Sequence, residues 1–380
     1  MSSMSRDALV AMARRSLAHT QAGTLPAAHD MLRVPADHYT DPDRFQLEVE
    51  RIFKRLPLAL GTSAELREPG AFRTTEVAGI PVLLARGSDG EVRAFLNACT
   101  HRGAPVESRA CGKTRRFTCP YHAWSYDTAG RLQGIFAPDH FGELDLESQG
   151  LVRLPTSERA GLVFVILDPA STLSFDRALV GFDAMLEHSR FADRVFFERV
   201  QLPGPNWKAA YDGYLDFYHL PVLHKQSFGT QFSHHAVYDA WGPHVRTTAL
   251  DASFASLAEL PEADWKTERL AGGVWNLFPG GALVNFPAGP GLEISQLNQV
   301  FPGAHPGESF TEITFLASVE PDAAQQQALR GMADLLAGVV RREDYPTVAG
   351  VQRGLESGLH PGVLFGRRKG RRSSIAGSIS

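Results

Sequence analysis

Asn97-Ala98-Cys99-Thr100-His101-Arg102-Gly103-Ala104, followed by Cys119-Pro120-Tyr121-His122-Ala123-Trp124, is the stretch on which the reading of this chain turns. Each half pairs one cysteine with one histidine, and 17 residues separate His101 from Cys119. Thiolates suit iron–sulfur clusters or zinc and imidazoles accept zinc or iron, so donor chemistry alone permits two answers. Spacing separates them. Zinc fingers usually set Cys with Cys and His with His, whereas two mixed pairs on two loops let both sulfurs hold one iron and both nitrogens another. The two-iron reading is preferred, with zinc as the alternative.

Mixed pairs of this kind form the ligand pattern of a Rieske [2Fe–2S] cluster, and the chain around them reads as a small antiparallel β domain. Phe72 to Val77, Pro81 to Ala85 and Val92 to Leu96 read as strands, with turn chemistry at Asp89-Gly90. The pattern continues through Phe117 to Tyr126, turns at Asp127 to Gly130 and closes with the apolar run Gly161 to Leu167. Ahead of it, Asp41-Pro42 opens a helix that Phe45, Val49, Ile52 and Phe53 carry to about Arg55.

After Asp168-Pro169 the pattern predicts a helix near Phe175 to His188, a strand near Val195 to Leu202 and a helix opening after Pro205-Asn206. Strands follow between Val274 and Val300 and at Phe310 to Val319, and Leu329, Met332, Leu335, Leu336, Val339 and Val340 then share one helix face. The fold class is therefore α+β, in four segments: an N-terminal helical arm over 1–40, a cluster domain over 41–170, a second domain over 171–365 and a flexible tail over 366–380.

Composition narrows the classes. The 380 residues are 43% hydrophobic and 21% charged, which excludes wholesale disorder, and the net charge of −4 supplies no field for nucleic acid or an anionic membrane. The longest apolar run is far short of a bilayer span, and Ala8 to Ala13 is too brief for a secretory segment, so an amphipathic N-terminal helix is expected rather than a leader. Three cysteines exclude a disulfide framework and point to a reducing, cytoplasmic setting. Cys111 fits no ligand position and reads as a free thiol, and His140, His234, His235, His244 and His305 have no paired spacing and read as surface or satisfied histidines.

A second constellation follows Asn206-Trp207-Lys208. Asp212, Asp216 and His219 stand at i,i+4 and i,i+3 steps, which predicts one shared helix face, and His224 comes five residues later. Pro221 should bend the chain and let His224 return toward the same point. Two histidines and a carboxylate on one triangular face leave open positions on Fe(II). His-x4-His alone is a weak pattern.

Together, the Cys99 to Ala104 and Cys119 to Trp124 loops, then Asn206-Trp207-Lys208, Asp216-Phe217-Tyr218-His219 and His224, resemble the large (terminal oxygenase, alpha) subunit of Rieske non-haem iron ring-hydroxylating oxygenases, over roughly residues 40 to 360. Ala104 and Tyr121 stand where respiratory Rieske proteins carry a disulfide, so the cluster resembles the lower-potential oxygenase type. The resemblance implies a Rieske domain beside a helix-grip (StAR-related lipid-transfer-like) catalytic domain.

It further implies that Cys99, His101, Cys119 and His122 bind the [2Fe–2S] cluster and that His219 and His224 bind a mononuclear Fe(II). The third ligand is assigned on the match of Glu343-Asp344 to the family's late acidic segment, as Asp344 with Glu343 its competitor. Asp216 is implied to orient His219 and to bridge to His101 or His122 of a neighbouring subunit, because cluster and iron within one chain would lie too far apart.

The activity implied is hydroxylation, dihydroxylation or oxidative demethylation of an organic, aromatic or apolar substrate with O2. The chain carries no Gly-x-Gly-x-x-Gly fingerprint, so NAD(P)H would act through a separate flavin reductase, with or without a ferredoxin. A homotrimer is expected. The segment Trp275 to Phe286, with Asn276, Leu277, Phe278, Leu283 and Phe286, falls where the family lines its pocket. The rival reading is a Rieske electron carrier whose second domain is merely structural.

Overall fold

The structure, a computed structural model, describes residues 3–26, 30–229, 234–250 and 252–367. The chain divides into two compact units: Glu48–Ala178, and a second built from the chain up to Leu47 and from Leu179 onward. No helix among the described residues is long and apolar enough to cross a membrane. The tail that composition marks as flexible lies, from residue 368, outside the described residues.

The Glu48–Ala178 unit is built of short antiparallel strands. Ala71–Val77, Ile80–Arg86 and Val92–Leu96 form the centre of a five-stranded sheet edged by Cys111–Lys113 and Arg153–Leu154. Arg116–Thr118, Ser125–Asp127 and Leu132–Gly134 form a separate three-stranded sheet, so the expected run from Phe117 to Tyr126 is a hairpin with a cluster loop at its tip. Leu162–Val165 is buried at every position and pairs with Thr156–Arg159 and Leu58–Thr62. Phe72, Phe95, Phe117 and Tyr126 form the core beneath the loops, and Cys99 and Cys119 belong to that same buried cluster.

The second unit is a seven-stranded antiparallel sheet in the order Val195–Gly204, Ser309–Ala317, Leu292–Pro302, Gly281–Gly289, Val274–Leu277, His244–Ala249, Ala236–Trp241. Helix α1 (Ser3–Ala22) buries Leu9, Val10, Ala13 and Leu17, the spacing of one helical face, and Arg14 pairs with Glu262 and Arg15 with Asp239. Leu32–Pro35 pairs with Gly362–Phe365, and a Cβ at Gly362 would meet the Val34 carbonyl at 2.1 Å, so only glycine lets these strands close.

Helix α2 (Trp207–Tyr214) starts where Asn206 accepts hydrogen bonds from the Lys208 and Ala209 amides. Helix α3 (Ala323–Val339) opens with a reciprocal capping box between Asp322 and Gln325. It runs through a π turn, Val340–Asp344, into helix α4 (Tyr345–Glu356). Together the sheet and helix form the helix-grip unit. The helix expected over Phe175 to His188 is divided: Val180 and Gly181 sit at positive φ (54° and 78°), which no continuing α-helix allows.

Candidate metal centres

The two cysteine–histidine loops repeat one backbone pattern. The Cys99 amide donates to the Ala104 carbonyl at 2.8 Å and the Gly103 amide to the Cys99 carbonyl at 2.7 Å; Cys119 makes the same pair with Trp124 at 2.8 Å and Ala123 at 3.0 Å. Both loops close through a left-handed residue, Gly103 (φ 79°) and Ala123 (φ 58°), four positions after the cysteine. Asn97 secures the first loop, its Oδ1 accepting from the Val106 and Glu107 amides at 3.2 Å.

The result is a pair of buried thiols beside two facing imidazoles. The His101 and His122 rings lie 4.7 Å apart, and His101 stacks on Trp124 at 5.0 Å. The Nδ1 atoms of His101 and His122 are buried without a hydrogen-bond partner. An orphaned buried nitrogen is costly unless another atom takes its lone pair, and iron on that side would do so. A single tetrahedral zinc would draw four donors to about 2.0–2.3 Å from one point. Among the described residues, however, the set of three or more donors within 4.8 Å of one another is found elsewhere, at His219, His224 and Asp344. The four loop residues fit a two-iron cluster better than one ion.

Sequence reasoning missed Tyr126. Its hydroxyl lies 3.1 Å from Cys99 Sγ and 2.9 Å from Thr100 Oγ1, and it accepts from the Thr100 amide at 3.2 Å. Burial and the neighbouring Cys99 push the Tyr126 phenol up to about 12, so it stays protonated and can donate to a thiolate. The signal was present in the sequence, two residues beyond Trp124, but a tyrosine there reads equally as core.

At the second site the local fold differs from expectation. Helix α2 ends at Tyr214, so Asp216 and His219 lie beyond it and share no continuous face with Asp212. Asp212 accepts a hydrogen bond from the Tyr39 hydroxyl at 2.8 Å. Asp216 Oδ1 accepts from the Tyr218 amide at 2.9 Å, an Asx turn that competes with helix. His219 then caps a one-turn helix, Leu220–Leu223, with Pro221 in its first turn, and His224 joins it to Lys225–Phe228. Pro221 thus begins a helix, where its missing N–H costs nothing, instead of breaking one.

These turns bring the histidines to the π turn. Asp344 Oδ1 lies 3.2 Å from His224 Nε2 and 3.7 Å from His219 Nε2, and the rings stand 5.0 Å apart at 80°. The opposite ring nitrogens face other carboxylates: His219 Nδ1 is 3.6 Å from Asp216 Oδ2, and His224 Nδ1 is 2.7 Å from Glu343 Oε2. Glu343 also accepts from Ser227 Oγ. Burial pushes the His224 imidazole down, but Asp344 and Glu343 outweigh it and raise its pKa. Burial likewise raises Glu343, but Ser227 and His224 bring it below the usual range. Two imidazoles and one carboxylate whose ligand atoms lie within 4.8 Å of one another match the donor set of a facial triad.

Tyr345, next after Asp344, hydrogen-bonds Thr311 Oγ1 and so ties the start of helix α4 to one face of the sheet. Strand register divides the Trp275 to Phe286 segment between the two faces. Asn276 and Phe286 share the Thr311 face, whereas Trp275, Leu277 and Leu283 lie on the other, with the Trp275 indole donating to Ala271. Asn276 Oδ1 is buried without a partner. His244 is buried, its Nδ1 accepting from the Phe278 amide, and Cys111 is an exposed free thiol.

Residues 57–148 match the family described as Rieske [2Fe-2S] domain, and residues 191–371 match the ring hydroxylating alpha subunit (catalytic domain). The anthranilate 1,2-dioxygenase large subunit of Acinetobacter baylyi is 32% identical over 222 residues, 57% of this chain and 47% of that one. The carnitine monooxygenase oxygenase subunit of Escherichia coli K12 is 33% identical over 194 residues, 50% of this chain and 52% of that one. The chain spans about half the length of the curated relatives it matches. A crystal structure of the quaternary ammonium Rieske monooxygenase CntA superposes with a TM-score of 0.75 at 24% identity, covering 91% of this chain and 92% of that one, which shows a shared fold. The chain thus carries, in order, a Rieske [2Fe-2S] domain and the catalytic domain of a ring hydroxylating alpha subunit.

Proposed function

We propose that this chain is the terminal oxygenase of a multicomponent system, and the observation that carries the reading is the convergence of His219, His224 and Asp344 in a chain that also carries the Cys99, His101, Cys119, His122 loops. The mononuclear Fe(II), held by those three residues, would supply the open positions at which O2 is reduced beside the substrate. For a hydroxylation the balance is R–H plus O2, two electrons and two protons giving R–OH and water, so the second oxygen atom needs electrons from outside the substrate. Cys99, Cys119, His101 and His122 would hold the [2Fe–2S] cluster that supplies one of these electrons, and a flavin reductase oxidising NAD(P)H, with or without a ferredoxin, would be their source.

Asp216, with its Oδ2 3.6 Å from His219 Nδ1, stands beside that ring and, in a homotrimer, bridges to His101 or His122 of a neighbouring copy. On the Thr311 face, Phe286 offers a ring contact and Asn276 an unsatisfied amide oxygen, which favours an aromatic or apolar substrate carrying a hydrogen-bond donor. The relatives named for anthranilate and for carnitine delimit the screen to ring compounds and small quaternary amines.

The test is oxygen uptake with a surrogate reductase across such a panel, scored by coupled product. Three irons per chain accompany the oxygenase, two from the cluster and one from the triad. Two irons and uncoupled electron transfer would leave the electron carrier.

A further inference from the structure

We infer that Glu343 is the positioning residue of the mononuclear site: it locks the ring orientation and tautomer of His224, and Ser227 locks Glu343 in turn. Each histidine of the triad turns Nε2 toward Asp344 and Nδ1 toward a different carboxylate, but the two outer contacts are not alike. Asp216 stands 3.6 Å from His219 Nδ1, beyond hydrogen-bond distance, with its Oδ1 taken by the Tyr218 amide. Glu343 Oε2 stands 2.7 Å from His224 Nδ1, and its Oε1 accepts from Ser227.

A carboxylate at this distance accepts a hydrogen bond from Nδ1–H and so holds the proton on that nitrogen, leaving Nε2 as the unprotonated nitrogen that can act as a ligand. It also raises the donor strength of that nitrogen. Both carboxylates come from one π turn, Val340–Asp344, which places consecutive side chains on opposite nitrogens of a single ring. His224 is 4% exposed and Glu343 20%, so the pair is shielded from competition by water. Ser227 lies three residues after His224, so the clamp also fixes the segment that follows the ligand to helix α3's extension.

The inference rests on the reading of His219, His224 and Asp344 as metal ligands, and the test separates the two. The protein carrying its cluster would be stripped of mononuclear iron and titrated with Co(II) alone, recording affinity and the ligand-field absorption of the bound ion. The Rieske visible spectrum reports that each variant is folded. Glu343→Ala should bind Co(II) about 10–100-fold more weakly than the parent with a shifted ligand-field band. Glu343→Gln, which keeps an acceptor oxygen, should recover part of the affinity but not the band position, and Ser227→Ala should fall between Gln and parent. Parental affinity and band in Glu343→Ala, with binding lost in His219→Ala, would overturn the inference while leaving the ligand set intact. Parental binding in His219→Ala and Asp344→Ala would overturn the ligand set and this inference with it.

Discussion

The two metal centres are assembled by opposite strategies. The cluster loops are local structures: each ligand pair lies within four residues, and each loop is closed by its own two backbone hydrogen bonds and a left-handed fourth residue. The mononuclear site is a long-range structure, in which His224 meets Glu343 across 119 positions of sequence. The first can form wherever two hairpins are held side by side. The second exists only once helices α3 and α4 are seated on the sheet, through contacts such as Tyr345 to Thr311. A locally built site tolerates disturbance elsewhere, whereas a site assembled from distant segments fails with any of its supports.

The sharpest break in this comparison comes from removing ligands. His219→Ala, His224→Ala and Asp344→Ala should each lose the mononuclear iron and all coupled oxygenation while keeping the red-brown Rieske spectrum, since two protein donors hold Fe(II) poorly. His101→Ala and His122→Ala should do the reverse, abolishing the Rieske EPR signal while the triad still binds metal. Loss of both centres from any of these five variants would show that the units do not form their sites independently. Iron analysis with EPR reads both at once.

Asp216→Asn should keep both centres and break only what joins them. Single-turnover mixing of reduced protein with substrate and oxygen should show cluster oxidation slowed by two orders of magnitude or more, in keeping with about 10²-fold losses from a misplaced group. Oxidation at the parental rate would remove Asp216 from the electron path.

Asn206→Ala tests how far the distant site leans on its framework. The side chain caps α2 and its Nδ2 donates to the Tyr39 carbonyl, which is buried, and to the partly buried Pro306 carbonyl, each at 2.7 Å. Losing the cap and leaving those carbonyls unpaired should cost about 3 kcal/mol. Thermal melting should show the catalytic unit's transition, followed through bound Co(II), moving down while the Rieske circular dichroism at low temperature is unchanged.

The smallest expected effect is at the cluster. Tyr126→Phe removes a hydrogen bond to Cys99 and should lower the reduction potential by on the order of tens of millivolts, because a donor to sulfur stabilises the more negative, reduced cluster. Redox titration would show it, and an unchanged potential would mean that the hydroxyl serves Thr100 alone.

What could be read from the sequence follows the same division. Cys99, His101, Cys119 and His122 stand out because each candidate pair sits in one tight loop with short spacing, and Val92 to Leu96 or α3 follow from periodicities that local propensity and burial enforce together. Asp212 shows where that logic stops: its i,i+4 spacing promised a shared face with Asp216, but the Asx turn at Asp216 ended the helix first. Asp344 was reached only through a family match. Two adjacent acids in a helical stretch are equivalent until something fixes which nitrogen each one meets.

By itself the sequence singled out Cys99, His101, Cys119 and His122, the order of the two units and the pair His219 and His224 as candidates, because each is written in residues close together along the chain. Tertiary structure alone decided that Asp344 faces the Nε2 atoms while Glu343 takes Nδ1, that Asn276 rather than Trp275 shares the Thr311 face, and that Tyr126 reaches Cys99. Each of those outcomes depends on register, on one π turn or on packing between segments far apart in sequence. These are cooperative properties of the folded chain, and no local pattern of residues encodes them.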